Sequence, residues 1–220
     1  MGYALRQGVT FCFVGRRTIF FDLIGNRFHC LGQSADRAFR SLVVEFPGHT
    51  ADRRQLSKLV AAGLLVEADS DLACPQATTP ALESKSQPAP TVKQSRLQLL
   101  LRALISLSAA KLRLSTRSLA QVVGEFRAHK LRRRARSKTA TPSAVAQTYV
   151  ELARYLRATD QCLVRSIALA WQLVQNGVDA EFVVGVQLDP FKTHAWVRAN
   201  GSTLVDDPGE VEMFTPILVV

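Results

Sequence analysis

A proline-rich stretch divides the chain about a third of the way along, and this division limits the folds that the sequence can adopt. Residues 75–94 are rich in Ser, Thr, Ala and Gln and contain Pro75, Pro80, Pro88 and Pro90. Such a composition is typical of a linker. The sequence therefore predicts two domains, residues 1–75 and residues 95–220, joined by a linker at residues 76–94.

The first domain combines short strands with helices. Three runs rich in Phe, Val and Ile, separated by turn signals, are predicted strands: Val9–Val14, Thr18–Leu23 and Arg27–Leu31. A helix with Ser34 as its N-cap follows, then a helix at about Asp52–Ala62 and a short returning strand at Leu64–Glu67. This order of elements predicts a compact module with winged-helix character.

The second domain begins with helices and ends with strands, so the whole chain is predicted to be α+β. The expected helix starts are Ser115 or Thr116, Ser143, and Asp160 as the cap of the helix that contains Cys162. The expected strands are Ala180–Leu188 and a hairpin of His194–Ala199 with Ser202–Val205 around Asn200-Gly201.

Cys162 and His194 form the most informative pair of residues in the second domain. Cys162 falls in the first turn of its predicted helix, where unpaired backbone donors and the helix dipole favour a thiolate. His194 lies on a strand, and an imidazole near the thiol can hold the pair as thiolate and imidazolium. A carboxylate beyond the ring would orient it. The backbone N–H of Cys162 is a candidate oxyanion donor, with Gln161 as a possible second.

Two acidic residues compete to be the third member of this site. A strict two-residue turn at Asn200-Gly201 pairs His194 with Asp207 and places both side chains on one face of the sheet. A three-residue turn with a bulge shifts the register and brings Asp206 diagonal to His194 instead. The strand pattern by itself leaves both alternatives open.

Charge and cysteine content restrict the classes of partner. The net charge of +10 comes from residues 76–138, which carry 14 Lys or Arg and 2 Asp or Glu. The four cysteines are widely spaced and form neither a disulfide framework nor a metal pair, which indicates a reducing cytoplasm and no metal site. No run approaches the roughly 20 apolar residues of a membrane span, so no membrane partner is expected.

The last 60 residues resemble the C-terminal domain of lasso-peptide B proteins, the leader peptidases of the transglutaminase-like superfamily. The matching motifs are Asp160-Gln161-Cys162-Leu163, Pro190-Phe191, His194-Ala195-Trp196-Val197 and Val205-Asp206-Asp207-Pro208. The resemblance implies a transglutaminase-like cysteine-peptidase domain in which Cys162, His194 and Asp206 are catalytic. The family usually has Asn where Val205 stands, so Asp207 is kept as an alternative.

Residues 1–75 are similar in element order to the precursor-recognition module fused to many such peptidases. The resemblance implies that a leader peptide adds a strand beside the third strand and rests against a helix. The implied leader-binding residues are Phe28, Cys30, Leu31, Leu56, Leu59 and Val60. These apolar side chains would equally suit a core.

Together these features predict a cytoplasmic cysteine peptidase that needs no cofactor and cleaves the leader from a lasso-peptide precursor. By family analogy, the product passes to an asparagine-synthetase-like lasso cyclase. The tract Arg127–Lys138 is a candidate contact for that cyclase or for an acidic precursor. One alternative is a transglutaminase or acyltransferase on the same fold. Another is a winged-helix nucleic-acid-binding protein, which is disfavoured because the positive charge lies outside the winged module.

Overall fold

The computed structural model describes residues 2–44, 52–68, 95–133, 141–155 and 162–220. The chain divides into two compact units, residues 1–79 and residues 80–220. Both helices and strands are well represented, so the expected α+β class is confirmed. The predicted linker at residues 76–94, the predicted cap at Asp160, Gln161 and the end of the basic tract lie outside the described residues.

The first unit contains two small antiparallel sheets, one of strands β2, β3 and β4 in that order and one of β1 with β5. The strands are β1 Gly2–Leu5, β2 Val9–Val14, β3 Arg17–Asp22, β4 Arg27–Cys30 and β5 Leu65–Ala68. Positive φ at Gly15 (56°) and Asn26 (49°) supports the two predicted turns. Strand β1 was not predicted, because its partner β5 comes from the opposite end of the unit.

Two helices, α1 Gln33–Val44 and α2 Arg53–Ala61, share one apolar core with these sheets. The helix predicted at about Asp52–Ala62 is α2, and Asp52 is its N-cap, because the Asp52 side chain accepts hydrogen bonds from two backbone N–H groups in the first turn. The predicted cap at Ser34 is wrong. The carbonyl of Gly32 accepts the first helical hydrogen bond, so Ser34 lies inside the first turn of α1.

The described part of the second unit contains four longer helices, of which one is central. They are α3 Arg96–Thr116, α4 Leu119–Arg133, α5 Pro142–Tyr155 and α6 Cys162–Gln175. Every residue from Ser166 to Val174 in α6 is buried, and α3, α4 and α5 all contact this helix. Helix α6 therefore lies in the core of this unit from Ser166 onward, while its first turn is partly exposed.

Two of the predicted helix starts in this unit are wrong. Ser115 and Thr116 lie in the last turn of α3, where their hydroxyls donate to the carbonyl of Leu112. Ser118 caps α4 instead, and its Oγ accepts a hydrogen bond from the backbone N–H of Gln121. The α5 helix begins one residue before Ser143, with Thr141 as its cap.

The chain ends in a four-stranded antiparallel sheet of order β8, β7, β6, β9. The elements are β6 Ala180–Gln187, β7 Lys192–Ala199, β8 Ser202–Leu204, the short helix α7 Pro208–Val211 and β9 Thr215–Val219. Both β6 and β7 follow the predicted strands closely. Helix α6 packs against β6 and β7, which brings the start of the helix to the strand that carries His194.

Within the described ranges, no helix is both long enough and apolar enough to cross a membrane.

Candidate active site

Helix α6 and strand β7 are joined by a buried hydrogen bond beside the two predicted reactive residues. Cys162 is the first residue of α6, and Ser166 follows it one turn later. The Ser166 hydroxyl donates to the carbonyl oxygen of Ala195 at 2.7 Å, and Ala195 is the neighbour of His194 on β7. This contact fixes the first turn of the helix against the strand, so the positions of the thiol and the imidazole are set by the core.

The thiol of Cys162 is partly exposed, and its pKa is lowered. The main cause is a hydrogen bond with the His194 side chain, and the backbone N–H groups of Ala195 and Leu163 act in the same direction. Burial opposes them without reversing the shift. The surroundings therefore favour the thiolate, which is the nucleophilic form of cysteine.

Cys12 shows the opposite behaviour and serves as an internal comparison. It lies on β2 with only 2% of its surface exposed. Burial raises the pKa of its thiol to about 12. Cys12 is therefore an unreactive core side chain.

The imidazole of His194 has a pKa raised to about 9. The contact with the Asp206 side chain is the largest cause, followed by the hydrogen bond with Cys162, while burial acts against both. Asp206 Oδ1 lies 3.3 Å from His194 Nε2, although the angle between the two groups is not that of a well-formed hydrogen bond. This contact uses Nε2 and leaves Nδ1 as the ring nitrogen available to the thiol.

Two aromatic side chains lie beside the imidazole. The rings of Trp196 and Phe214 have their centroids 6.1 Å and 5.5 Å from that of His194. Gly185 faces His194 across the sheet, and a Cβ there would lie 2.6 Å from Trp196 and 2.9 Å from Phe214. The absence of a side chain at Gly185 is therefore what lets these two rings pack beside the imidazole.

The hairpin explains why Asp207 does not face His194. Of the two turns considered, the structure has the two-residue turn, because Ala199 pairs directly with Ser202 and no bulge intervenes. Continued, this register would bring Asp207 opposite His194. The ladder stops at Leu204, however, because the next residue, Val205, has a φ of 75° and the strand ends there.

The two aspartates then take different positions. Asp206 has a side chain only 9% exposed and contacts His194. Asp207 is the N-cap of α7, where its Oδ1 accepts a hydrogen bond from the backbone N–H of Gly209 at 2.9 Å. The strand-pairing argument for Asp207 is therefore wrong, and the bulge considered for Asp206 is not the reason that Asp206 reaches the imidazole.

Arg165 is a member of this site that the sequence analysis missed. Its Nη2 donates to Asp206 Oδ1 at 2.8 Å, so one carboxylate oxygen contacts both the guanidinium and the imidazole. Arg165 follows Cys162 by three residues, and this spacing places both side chains on one face of α6. That spacing was the signal available in the sequence.

The predicted leader-binding residues fall into two groups in the first unit. Phe28 and Cys30 lie on β4, an edge of the three-stranded sheet, and Leu31 follows directly. Cys30 is exposed, and the ring of Phe28 stacks on Phe21 with centroids 4.2 Å apart. Phe28 and Leu31 are partly buried, and Leu31 packs against the apolar core.

The second group lies on α2, and the structure corrects the expectation for two of its three members. Leu56 and Leu59 are 1% and 4% exposed and belong to the apolar core, so direct contact with a peptide would require the core to open. Val60 is only partly buried at the edge of that core. Amphipathic spacing predicted that the three residues share a face, but it cannot distinguish a core from a binding surface.

No set of three or more His, Cys, Asp or Glu residues in the described part of the chain could hold a metal ion.

Comparison with known proteins gives two matches. A family model described as "Transglutaminase-like superfamily" matches residues 103–219, a range that contains Cys162, His194 and Asp206. The chain is also similar to the "Microcin J25-processing protein McjB" of Escherichia coli, with 40% identity over 47 residues. That alignment covers 21% of this chain and 23% of the relative, so most of both proteins lies outside it. No solved structure matches the chain.

Proposed function

Because the chain belongs to the transglutaminase-like superfamily, we propose that it is a cysteine peptidase that removes the leader from a lasso-peptide precursor. One observation carries the proposal. The Cys162 thiol, with its lowered pKa, contacts the imidazole of His194, whose own pKa is raised through its contact with Asp206. A thiolate paired with an oriented imidazolium is the reactive form of a cysteine peptidase.

The chemistry follows from this ion pair. The Cys162 thiolate attacks the carbonyl carbon at the junction of leader and core, and the backbone N–H of Cys162 stabilises the developing oxyanion. The His194 imidazolium gives its proton to the departing amine, which leaves a thioester on Cys162. Neutral His194 then takes a proton from water, and the resulting attack on the thioester releases the leader and restores the Cys162 thiolate and the His194 imidazolium. Asp206 keeps the ring oriented and stabilises its charged form.

The substrate class is proposed from similarity. The Escherichia coli relative is named as the protein that processes microcin J25, and the C-terminal motifs of this chain resemble those of lasso-peptide leader peptidases. A precursor peptide with a leader is therefore the expected substrate. The core amine that cleavage frees is the group that a lasso cyclase would use, so we assign such a cyclase as the partner.

In this proposal the first unit is a winged-helix-like module that binds the leader. The edge strand β4 offers backbone donors and acceptors to an incoming strand, and Phe28, Cys30 and Leu31 lie along or beside that edge. Val60 is the member of the α2 group that remains available at the core boundary. Leu56 and Leu59 support this surface from within rather than touching the leader.

Incubating the full chain with the precursor encoded beside its gene tests the proposal. We expect mass spectrometry to show two fragments whose masses sum to that of the precursor plus one water. A large excess of a primary amine provides the discriminating control, since a transglutaminase or acyltransferase would join the acyl fragment to the amine. Amine-joined product in place of hydrolysis, or an intact precursor, contradicts a leader peptidase.

The pH dependence of cleavage should reflect the coupled thiol and imidazole. We expect kcat/KM to be constant over a plateau and then to decrease at high pH, around the raised pKa of His194, about 9. Deprotonation of His194 removes the proton that the leaving amine needs. On the acid side, the lowered pKa of Cys162 extends the plateau downward, since the thiolate persists there. Cleavage rates measured from about pH 5 to about pH 10 at constant ionic strength check this. A rate still rising at pH 9, as for an ordinary thiol, contradicts the ion pair.

A further inference from the structure

The second unit contains a cavity that the proposed peptidase mechanism does not use. It has a volume of about 560 Å³ and lies among α3, α4 and α6. The described residues that line it do not include Cys162, His194 or Asp206. Its volume is within the range of pockets that hold small molecules, which is about 300–1,000 Å³.

The charge of the cavity wall is strongly positive. Arg102 and Arg113 reach it from α3, and Arg133 reaches it from the end of α4, whereas none of the described lining residues is acidic. Arg113 also stacks over the ring of Trp171, with its guanidinium carbon 4.7 Å from the ring centroid. Among the described residues, no acidic side chain forms an ion pair with Arg102 or Arg133. Arg113 lies 3.7 Å from Glu125, so Arg102 and Arg133 are the candidates to bind an anionic ligand.

The same positive charge affects the pKa of a neighbouring histidine. His129, on α4, has a lowered pKa. Burial is the largest cause, and the charges of Arg133, Arg132 and Arg113 act in the same direction. Cations that disfavour a further positive charge at His129 would favour a negative charge in the cavity beside it.

The inner wall of the cavity carries a buried polar group with unused hydrogen-bonding capacity. Gln172 of α6 lines the cavity and is 1% exposed, and its Oε1 accepts a hydrogen bond from the Tyr149 hydroxyl at 2.8 Å. Its Nε2 has no hydrogen-bond partner among the described residues. A buried N–H group without an acceptor is unfavourable, so Gln172 is a polar part of the wall whose hydrogen-bonding capacity the described residues do not use up.

We propose that this cavity binds a small anion with at least two negative charges, carried by phosphate or carboxylate groups. Arg102 and Arg133 bind the charged groups through paired N–H donors, which match the geometry of both oxyanions. The face of the cavity formed by Trp171 and Ile105 contacts the apolar part of the ligand. The site is independent of the proposed peptidase function, because it shares no lining residue with the Cys162 site.

Calorimetric titration of the full chain with pyrophosphate and, separately, with citrate tests this site at an ionic strength held constant with sodium chloride. We expect saturable one-to-one binding of at least one of them, and the preferred anion identifies the charged group as phosphate or carboxylate. Binding of neither overturns the proposal. Because Cys162 does not line the cavity, Cys162→Ala should bind with unchanged affinity, and loss of binding in that variant would place the anion at the thiol instead.

Substitution of single arginines separates a built site from general attraction to a basic surface. Arg102→Ala and Arg133→Ala should each weaken binding by about tenfold to a hundredfold, the effect of losing one charge-assisted hydrogen bond. Arg132→Ala is the matched control. Arg132 precedes Arg133 on α4 and carries the same charge, but its side chain is exposed and does not line the cavity. This substitution should change affinity by less than about twofold. If all three variants bind the anion equally weakly, and the thermal melt of each shows that it is folded, the proposed site is wrong.

Discussion

Replacing Cys162 with Ala is expected to abolish cleavage of the precursor, with kcat reduced by about ten-thousandfold to a millionfold. The thiolate supplies the electron pair that forms the new bond to the substrate carbonyl, and His194 is positioned to polarise this sulfur. Leader affinity should stay unchanged, because the proposed leader-binding residues all lie in the first unit. Single-turnover cleavage followed by mass spectrometry, together with leader binding measured by fluorescence anisotropy, checks both parts.

Two further variants show whether the sulfur itself is required. Cys162→Ser keeps the size of the side chain, but its hydroxyl is far harder to ionise in the same surroundings, so it should also be almost inactive. Cys74→Ala removes a cysteine to which no role is assigned and should cleave at the wild-type rate. Cleavage by Cys162→Ala at more than about a hundredth of that rate would mean that the thiol is not the nucleophile.

Local signals in the sequence were enough to predict much of the site. The apolar periodicity of α6 and the Asn200-Gly201 turn depend on neighbouring residues, and the structure has both where they were expected. The closeness of Cys162 and His194 follows from these elements, since a helix that packs on the following hairpin brings its first turn to the strand. Helix starts were less reliable, because Ser and Thr residues occur at several positions near each end and only one can be the cap.

Features that depend on distant parts of the chain were not predictable. The pairing of β1 with β5, and of β9 with β6, joins segments whose short sequences carry weak strand signals by themselves. The positive φ of Val205 is unusual for a β-branched residue, so nothing in the strand pattern indicated that the hairpin would end there. Arg165 was missed for a related reason, because its carboxylate partner lies 41 residues further along the chain.

Replacing Asp206 with Asn is expected to lower kcat/KM by about a hundredfold to ten-thousandfold while the protein remains folded. Asn keeps the shape of the side chain but removes the charge that stabilises the His194 imidazolium. Arg165 also loses its anionic partner, but its side chain is 27% exposed and can be solvated. The pKa of His194 should therefore fall, and the alkaline limb of the pH profile should move to lower pH.

Asp207→Asn is the matched control for this prediction. Asn caps helices as well as Asp does, so the first turn of α7 should be retained and kcat/KM should change by less than about threefold. The pH profile distinguishes a role at the imidazole from general loss of structure, because only loss of the Asp206 charge shifts the alkaline limb. The opposite result would be an inactive Asp207→Asn variant with a displaced alkaline limb, together with an Asp206→Asn variant close to wild type. In that case the carboxylate that acts on His194 would be Asp207. Equal activity of both variants would instead show that neither aspartate supports the imidazolium during cleavage.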